Sequence, residues 1–258
     1  MEQFSSPVDP TKEEIAIIEL RQKISDVILD NGKFDDDLYL LQWLKAQKLN
    51  PNKAEDMIRE SIKWRKENNI HSDLEKEFSP EFLKDFQVPF STSKEGIPVA
   101  YFHLGKMDMK AGITLCGKTR WYQFTGMLFS KMEDLMVASN KAQNRNKPGR
   151  LTSDSISGII GLGDTEGFSA LQIVDPTVTI VMVGVIRNLS TYFPAIFSNL
   201  IYYNMNTFST TLYNACKPFL NWPNLNLEIY GTDEKIWRET VLKFMDLEVF
   251  NELEKHWE

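Results

Sequence analysis

Cysteine and histidine are scarce in this sequence of 258 residues. The two cysteines, Cys116 and Cys216, lie far apart, and we interpret them as reduced thiols rather than as a disulfide framework. The three histidines, His71, His103 and His256, lack the four-residue spacing that places two zinc ligands on one face of a helix. Both shortages argue against a metal centre and against a secreted, disulfide-linked protein.

Positive charge and long apolar runs are also in short supply. The formal net charge is −7, and the densest basic run, residues 141–150, carries four cations, which we interpret as a solvated loop. Nucleic-acid binding needs a more concentrated basic face, so we expect no nucleic-acid partner. The longest apolar run, residues 178–186, is too short to span a bilayer, and residues 1–10 contain no apolar signal core. The composition therefore predicts a soluble, cytoplasmic protein.

Three glycines that follow a buried apolar run raise the question of a nucleotide site. Gly161, Gly163 and Gly167 form G-x-G-x-x-x-G, one residue longer than the dinucleotide fingerprint. Such a site also needs an acidic residue about twenty positions further on, to bind the ribose. The positions where that residue would fall are apolar or amide side chains. The glycines therefore do not predict nucleotide binding.

Other catalytic patterns are missing as well. Asp164 and Glu166 have no histidine or cysteine near them in sequence, and two carboxylates are too few for a metal site. We expect them to tie down the turn between a strand and a helix. The chain has no G-x-S-x-G elbow, no C-x-x-C pair and no P-loop. The sequence thus predicts a protein that is not an enzyme and needs no catalytic cofactor.

The periodicity of apolar residues divides the chain into two parts. The first ninety residues are helical in pattern, with helices expected at 35–47 and 50–70, the latter capped by Asn50. Strands and helices then alternate, which predicts an α/β fold with a sheet covered by helices. We expect a helical lobe at 1–90 and an α/β lobe at 91–258. The expected elements after residue 90 are strand 97–105, helix 121–143, strand 156–163, helix 169–189, strand 199–204, helix 208–220, strand 225–231 and helix 233–245.

The stretch from Pro176 to Leu227 is unusual because only Arg187 and Lys217 are charged. Aromatic residues there are interleaved with small polar ones. This composition is typical of an apolar cavity with a few well-placed hydroxyl and amide groups. A tightly packed sheet core has the same composition, so both alternatives stay open. Eight uncharged polar side chains bracket the expected cavity, and each either meets a polar group of a ligand or binds the main chain. They are Ser190, Thr191, Tyr192, Asn199, Tyr203, Asn204, Asn206 and Thr207.

Four sequence blocks occur in the order typical of one family. Residues 40–70 resemble the N-terminal helix pair of the CRAL-TRIO lipid-binding family, and residues 96–108 are similar to its first strand. Residues 158–169 match its I-x-D-x-E-G turn, and residues 191–221 follow its Y-P…K-P-F-L block. The animal members related to supernatant protein factor and the tocopherol-binding proteins are the most similar in character. The resemblance covers residues 36–245.

This resemblance implies a helical lobe on a mixed sheet that floors a hydrophobic cavity. A mobile helix at 208–220 would close the cavity as a gate and would touch membrane surfaces transiently. The resemblance, together with helical periodicity, also predicts the side chains that contact the ligand. They are Tyr122, Phe124, Met127, Val185, Leu189, Phe193, Phe197, Leu200, Tyr202, Leu212 and Phe219.

Departures from the family pattern bear on the kind of ligand. Members that transfer phosphatidylinositol carry a glutamate just after the Y-P pair and a lysine on the last strand, where this chain has Ala195 and Asn226. A phosphate group is not desolvated without such partners. The resemblance therefore implies a neutral isoprenoid, such as tocopherol, a retinoid, squalene or a carotenoid. A phospholipid with other headgroup contacts, or a ligand-free scaffold with a filled cavity, are the alternatives.

Overall fold

Helices and strands alternate through most of the chain. The computed structural model describes residues 9–71, 73–145, 149–220 and 222–257. Within these ranges the α-helices are α1 Lys12–Lys23, α2 Ser25–Asp30, α3 Asp37–Ala46, α4 Pro51–Glu67, α5 Pro80–Asp85, α6 Met109–Asn144, α7 Pro176–Tyr192, α8 Thr207–Cys216, α9 Glu234–Phe244 and α10 Leu247–Lys255. The strands are β1 Phe90–Thr92, β2 Pro98–His103, β3 Ile159–Asp164, β4 Phe197–Tyr203 and β5 Asn226–Ile229.

Side-chain caps fix the starts of the helices in the first lobe. Asp36 accepts a hydrogen bond from the Tyr39 amide at the start of α3. Asn50 accepts one from the Lys53 amide, and Pro51 occupies the first turn of α4, where its missing N–H leaves no bond unmade. The two helices predicted in this lobe, and the Asn50 cap, are therefore confirmed.

Helix α6 is longer than the helix expected at 121–143. It begins at Met109, after an Asp108 cap, and changes direction at Gly117, whose φ of 78° is a conformation that glycine adopts without strain. Because Gly117 interrupts the periodicity, the sequence did not predict the first two turns of α6. The expected helix at 121–143 and the basic run at 141–150 interpreted as a loop overlap, and the structure assigns residues 141–144 to α6. Residues 146–148 of the expected loop lie outside the described residues.

Proline explains two further differences from the sequence prediction. The helix expected at 169–189 is a short 3₁₀ turn followed by α7, because Pro176, with Asp175 as cap, sets a new first turn. The helix expected at 208–220 ends as an α-helix at Cys216, and the chain continues as a 3₁₀ turn around Pro218. Two elements were not predicted at all: the three-residue strand β1 and the final helix α10.

The described strands form one mixed sheet in the order β1-β2-β3-β4-β5. Strands β1 and β2 are antiparallel, and every other neighbouring pair is parallel. In the parallel register Ala100 lies opposite Gly161, which in turn lies opposite Leu200. Together with the N-terminal helices, this arrangement confirms the predicted fold class.

Alternation along the strands gives the sheet two apolar faces. Ile159, Phe197 and Leu200 belong to the core on one face, which α6, α7 and α8 cover, and we call this the inner face. On the outer face, Leu162 and Ile201 belong to a core completed by side chains of α9 and α10. Because both faces are buried, the strands read as near-continuous apolar runs rather than as alternating ones.

The N-terminal helices have a core of their own. Side chains of α1, α3 and α4, with Ile156, form a cluster separate from both sheet cores. Residues from Trp64 to Val88 join the inner-face core instead. The lobe boundary at residue 90 stays a prediction.

One buried carboxylate joins α6 to the N-terminal helices. The Glu133 side chain on α6 has no exposed surface and accepts two hydrogen bonds from the Arg65 guanidinium, at 2.9 and 3.0 Å. The Lys33 ammonium and the Tyr39 hydroxyl each donate to it at 3.0 Å. Burial by itself raises the pKa of Glu133, but the attraction of Arg65 and Lys33 outweighs burial and holds the pKa below its usual value.

We expect Glu133→Gln to lower the free energy of unfolding by about 3 kcal/mol, because the buried Arg65 guanidinium then lacks a counter-charge. Asp134→Asn is the matched control, since Asp134 is an exposed partner of the same Lys33 and should cost under about 1 kcal/mol. Urea titration at neutral pH measures both. Since the pKa of Glu133 is lowered on folding, its stabilisation is present above the unfolded-state pKa and is lost as pH falls through the folded-state value. The difference between wild type and Glu133→Gln should therefore narrow in acid.

Candidate functional site

An internal cavity of about 150 Å³ lies between the inner face of the sheet and helices α6, α7 and α8. Its wall is almost wholly apolar and, among the described residues, includes no charged side chain. The helices contribute stripes at helical spacing: Trp121, Phe124, Thr125, Leu128 and Phe129 from α6; Met182, Val185, Ile186 and Leu189 from α7; Ser209, Leu212, Tyr213 and Cys216 from α8. The remaining wall residues are Phe86, Val88, Phe102, Leu104, Met107, Met109, Gly161, Gly163, Thr165, Phe168, Phe197, Leu200, Tyr202, Met205 and Leu220.

The glycines of β3 make room for the cavity floor. A Cβ on Gly161 would lie 2.5 Å from Leu200 Cδ2, and one on Gly163 would lie 2.4 Å from Tyr202 Cδ1. Side chains of β4 therefore lie over β3, in space that any larger residue would fill. The glycines whose spacing is similar to a dinucleotide fingerprint therefore form part of an apolar cavity floor.

Helix α8 closes the cavity on the side away from the sheet. Its inward stripe includes buried Leu212 and Cys216, while Phe208 points outward and is 41% exposed. The Asn206 carboxamide caps the helix by accepting from two of its first amides, and its Nδ2 donates to the Phe168 carbonyl at 2.7 Å. The capped end of α8 is thereby attached to the segment that follows β3.

The carboxylate of Asp164 ties down the end of β3, as predicted. Its Oδ1 accepts from the Glu166 amide at 2.8 Å and from Asn204 Nδ2 at 2.9 Å, and its Oδ2 accepts from the Tyr101 hydroxyl at 3.2 Å. Although no histidine is close to these carboxylates in the sequence, the fold brings one beside them. The β2–β3 register places His103 beside Asp164, with Nε2 3.8 Å from Oδ2.

His103, Asp164 and Glu166 present possible metal ligands within 4.8 Å of one another. The hydrogen bonds just described already use both oxygens of Asp164, so the protein's own donors satisfy this carboxylate. Burial lowers the pKa of His103, with the attraction of Asp164 opposing it. Asp164 and His103 face the outer side of the sheet, where the His103 ring lies 5.8 Å from that of Trp257. The cluster is therefore separated from the cavity by the sheet.

A family model matches the part of the chain that forms most of this cavity. The model for the CRAL/TRIO domain matches residues 84–253, about two thirds of the chain. The chain belongs to the CRAL/TRIO family. The family consists of lipid-binding and lipid-transfer domains, which are typically not enzymes. The resemblance drawn from the four sequence blocks is confirmed at this level.

Several curated relatives are similar to most of this CRAL/TRIO chain. Patellin-4 of Arabidopsis thaliana is 27% identical over 83% of this chain and 36% of its own length. The phosphatidylinositol/phosphatidylcholine transfer protein SFH13, also of Arabidopsis thaliana, is 25% identical over 81% of this chain and 33% of its length. CRAL-TRIO domain-containing protein T23G5.2 of Caenorhabditis elegans is 23% identical over 74% of this chain and 25% of its own length. The chain spans about a quarter to a third of the length of these relatives.

A solved structure shares the fold. The crystal structure of Sfh5 superposes with a TM-score of 0.65 at 16% sequence identity, covering 90% of this chain and 84% of that one. None of the helices in the described part of the CRAL/TRIO chain is long and apolar enough to span a bilayer.

Seven of the eleven predicted ligand contacts lie in the cavity wall. They are Phe124, Val185, Leu189, Phe197, Leu200, Tyr202 and Leu212. The wall residues on α6, α7 and α8 that were not predicted were missed because the sequence alone did not show which side of each helix faces the cavity. That the seven residues touch a ligand stays a prediction.

The structure places the other four predicted residues outside this wall. Tyr122 lies beside the wall stripe of α6, with its hydroxyl against α7 at Gly184, and Met127 is buried in the surrounding core. Phe193 packs edge-on against Phe129, with ring centroids 5.5 Å apart. Phe219 falls in the 3₁₀ turn after α8, where Leu220 lines the cavity instead.

The eight polar residues expected to bracket the cavity are likewise absent from the described wall. Ser190 donates to the Arg187 carbonyl, and Asn204 and Asn206 make the bonds given above. The Tyr192 ring stacks on Trp64, and Tyr203 belongs to the outer-face core, since successive strand residues point to opposite faces. Main-chain binding, the second of the two alternatives drawn from the sequence, describes Ser190 and Asn206.

We expect Gly163→Ala to reduce the binding of an apolar fluorescent dye at least about tenfold, because the new methyl group displaces the Tyr202 ring toward the cavity. Gly231→Ala is the control, since a Cβ there meets no atom within 4 Å. Dye titration and thermal unfolding measure the two effects separately. Full dye binding and an unchanged Tm in Gly163→Ala would contradict this description of the floor.

Proposed function

We propose that this chain is a cytoplasmic carrier that binds a long, neutral, mostly hydrocarbon lipid without changing it chemically. The observation that carries the proposal is a cavity wall with no charged side chain among the described residues. Tocopherol, retinoids, squalene and carotenoids have this character. Apolar ligands in apolar pockets gain about 25 cal/mol for each square ångström removed from water.

The size of the cavity supports a gate that moves. A cavity of about 150 Å³ holds a molecule the size of benzene, whereas pockets for larger ligands measure about 300–1,000 Å³. A long lipid therefore needs the wall to move outward. Helix α8 is the element we propose to move, because it contacts α7 through an apolar stripe and is attached to the β3 turn through Asn206.

A second candidate ligand is a phospholipid, which the name of the similar SFH13 protein suggests. A phosphate headgroup needs cationic or main-chain donors when it is buried. Ala195, where inositol-lipid carriers have a glutamate, offers only its carbonyl, and this accepts from Gln42 Nε2 at 2.9 Å. The uncharged wall favours the neutral lipid over the phospholipid.

The decisive experiment identifies what the protein carries. Native mass spectrometry and an absorption spectrum of protein purified from its own source would show the mass and any colour of a bound molecule. A neutral isoprenoid is the expected result. Co-purified phospholipid would favour the second candidate, and a protein that neither carries nor accepts lipid would be the filled scaffold.

We expect Leu200→Trp to abolish lipid loading while the protein still folds, because indole fills the middle of the floor. Leu29→Trp is the matched control, since it makes the same change at a side chain that is 88% exposed on α2. Lipid content by mass spectrometry and the far-UV circular dichroism spectrum are the two measurements. Equal lipid content in Leu200→Trp and wild type would show that the ligand binds elsewhere.

Membrane contact through the gate is the other part of the proposal. Phe208 at the start of α8, and Leu171, Val174 and Ile180 before and within α7, are large apolar side chains with at least 41% of their surface exposed. The segment containing Leu171 follows Phe168, to which the α8 cap is bonded. A scattered apolar surface of this kind enters the interface of a bilayer without needing anionic lipid.

We expect vesicle binding to change less than about twofold between low and high salt, because screening weakens only charge-dependent attraction. Replacing Phe208 and Leu171 by serine should weaken vesicle binding several-fold. Leu29→Ser should not, because Leu29 is an exposed apolar side chain on α2, outside this surface. Co-sedimentation with neutral and anionic vesicles measures these effects. A steep loss of binding with salt would instead indicate an electrostatic, headgroup-directed interaction.

A further inference from the structure

Three polar side chains lie side by side on the outer face, at the carboxyl ends of three neighbouring parallel strands. The register pairs His103, the last residue of β2, with Asp164, the last residue of β3, and pairs Asp164 with Tyr203, the last residue of β4. All three residues are buried. Ligands of open α/β sheets bind at the carboxyl ends of the strands. This row of side chains is therefore in a position to form a site of its own, separate from the cavity.

The row contains polar atoms that the protein leaves unpaired. Among the described residues, His103 Nδ1 and the Tyr203 hydroxyl are buried and have no hydrogen-bond partner. The other ring nitrogen of His103, Nε2, lies 3.8 Å from Asp164 Oδ2, beyond hydrogen-bonding distance. Buried polar groups are nearly always paired, and the exceptions indicate a bound ion or water. Within the described part of the chain, the row therefore has binding capacity that the protein does not use.

Asp164 is held in place and still has room for a further partner. Its Oδ1 accepts two hydrogen bonds, whereas Oδ2, the oxygen beside His103, accepts one from the Tyr101 hydroxyl at 3.2 Å. A carboxylate oxygen has two lone pairs, so one on Oδ2 stays free. Carboxylates that bind metal ions are commonly oriented by hydrogen bonds of this kind. Asp164 Oδ2 is therefore available to a cation that lies next to the imidazole.

The charges around this row attract a cation. Glu166 is exposed and brings a second carboxylate, so that ligand atoms of His103, Asp164 and Glu166 lie within 4.8 Å of one another. Burial raises the pKa of Glu254 on α10, and the negative charges of Asp164 and Glu166 add to this effect. Burial and the nearby Lys106 lower the pKa of His103, against the attraction of Asp164. The neutral imidazole that burial favours is the form that binds metal ions.

We infer that His103, Asp164 and Glu166 bind a divalent transition-metal ion such as Zn²⁺. Imidazole nitrogen and carboxylate oxygen are ligands that zinc binds at about 2.0–2.2 Å, with water completing the shell. Two ligands of a tetrahedral zinc ion are about 3.4 Å apart, so the 3.8 Å between His103 Nε2 and Asp164 Oδ2 needs little adjustment. The exposed side chain of Glu166 is free to close the remaining distance. This site does not depend on the proposed binding of lipid in the cavity.

The experiment titrates the full chain, free of any histidine tag and treated with a chelator beforehand, with Zn²⁺ in a calorimeter. Wild type is compared with Glu166→Gln, His103→Gln and His71→Gln. His71→Gln is the matched control, because His71 also lies beside a carboxylate, with Nε2 3.3 Å from Glu77 Oε1, but on the exposed surface. Glu166→Gln is the deciding variant, since it changes an exposed side chain and leaves the buried row intact. Circular dichroism of each variant reports on the fold.

Wild type should bind Zn²⁺ at a single site with an affinity of about micromolar or tighter, and zinc should raise its Tm. Glu166→Gln and His103→Gln should weaken zinc binding at least about tenfold, whereas His71→Gln should leave it unchanged. Should His103→Gln fail to fold, Glu166→Gln decides the question by itself. A wild type that does not bind zinc, or zinc binding that persists at full affinity in Glu166→Gln, would overturn the assignment.

Discussion

The position of α6 against the N-terminal helices depends on the hydrogen bonds and ion pairs of the fully buried Glu133 carboxylate. The carboxylate accepts hydrogen bonds from three separate N-terminal segments: Lys33 before α3, Tyr39 on α3 and Arg65 on α4. A buried charge is strongly unfavourable when any one partner is removed, so these donors hold α6 in a single position against the helical lobe. Because α6 supplies one wall of the cavity, this ionic joint also fixes the wall.

The sheet supports a packed core on its outer face and a cavity on its inner face. Because successive strand residues point to opposite faces, Leu162, Ile201 and Tyr203 lie on the outer face, where side chains of α9 and α10 pack against them. On the inner face, Gly161 and Gly163 withhold side chains from the centre of the sheet. The side chains of β4 settle into that space, and the volume above them remains free.

The sequence was sufficient for the family, the order of elements and the α/β fold class, because caps, prolines and the four blocks are local signals. It was insufficient wherever the answer depended on helical phase or on strand register. Gly117 hid the start of α6. The stripe of α6 that faces the cavity runs through Trp121, Phe124 and Leu128, which leaves the predicted Tyr122 and Met127 at its flanks. His103 and Asp164 are 61 positions apart in the chain and become neighbours only through parallel pairing. The polar residues near the cavity looked functional because composition does not show which main-chain groups they satisfy.

The distribution of charge supports the proposal that α8 is the element that moves. In the described part of the chain, α6 is held by the Glu133 network and the floor by the hydrogen bonds of the sheet, whereas α8 makes no ion pair. Transfer of about ten methylene groups from water into the cavity would release about 8 kcal/mol, at about 0.8 kcal/mol each. Breaking the Asn206–Phe168 bond costs about 1 kcal/mol, and uncovering a buried side chain of α8 such as Leu212 costs about 1.5–3 kcal/mol, so a gain of that size offsets both. Ligand binding would therefore contribute to the proposed movement of α8, while the floor and the Glu133 network stay in place.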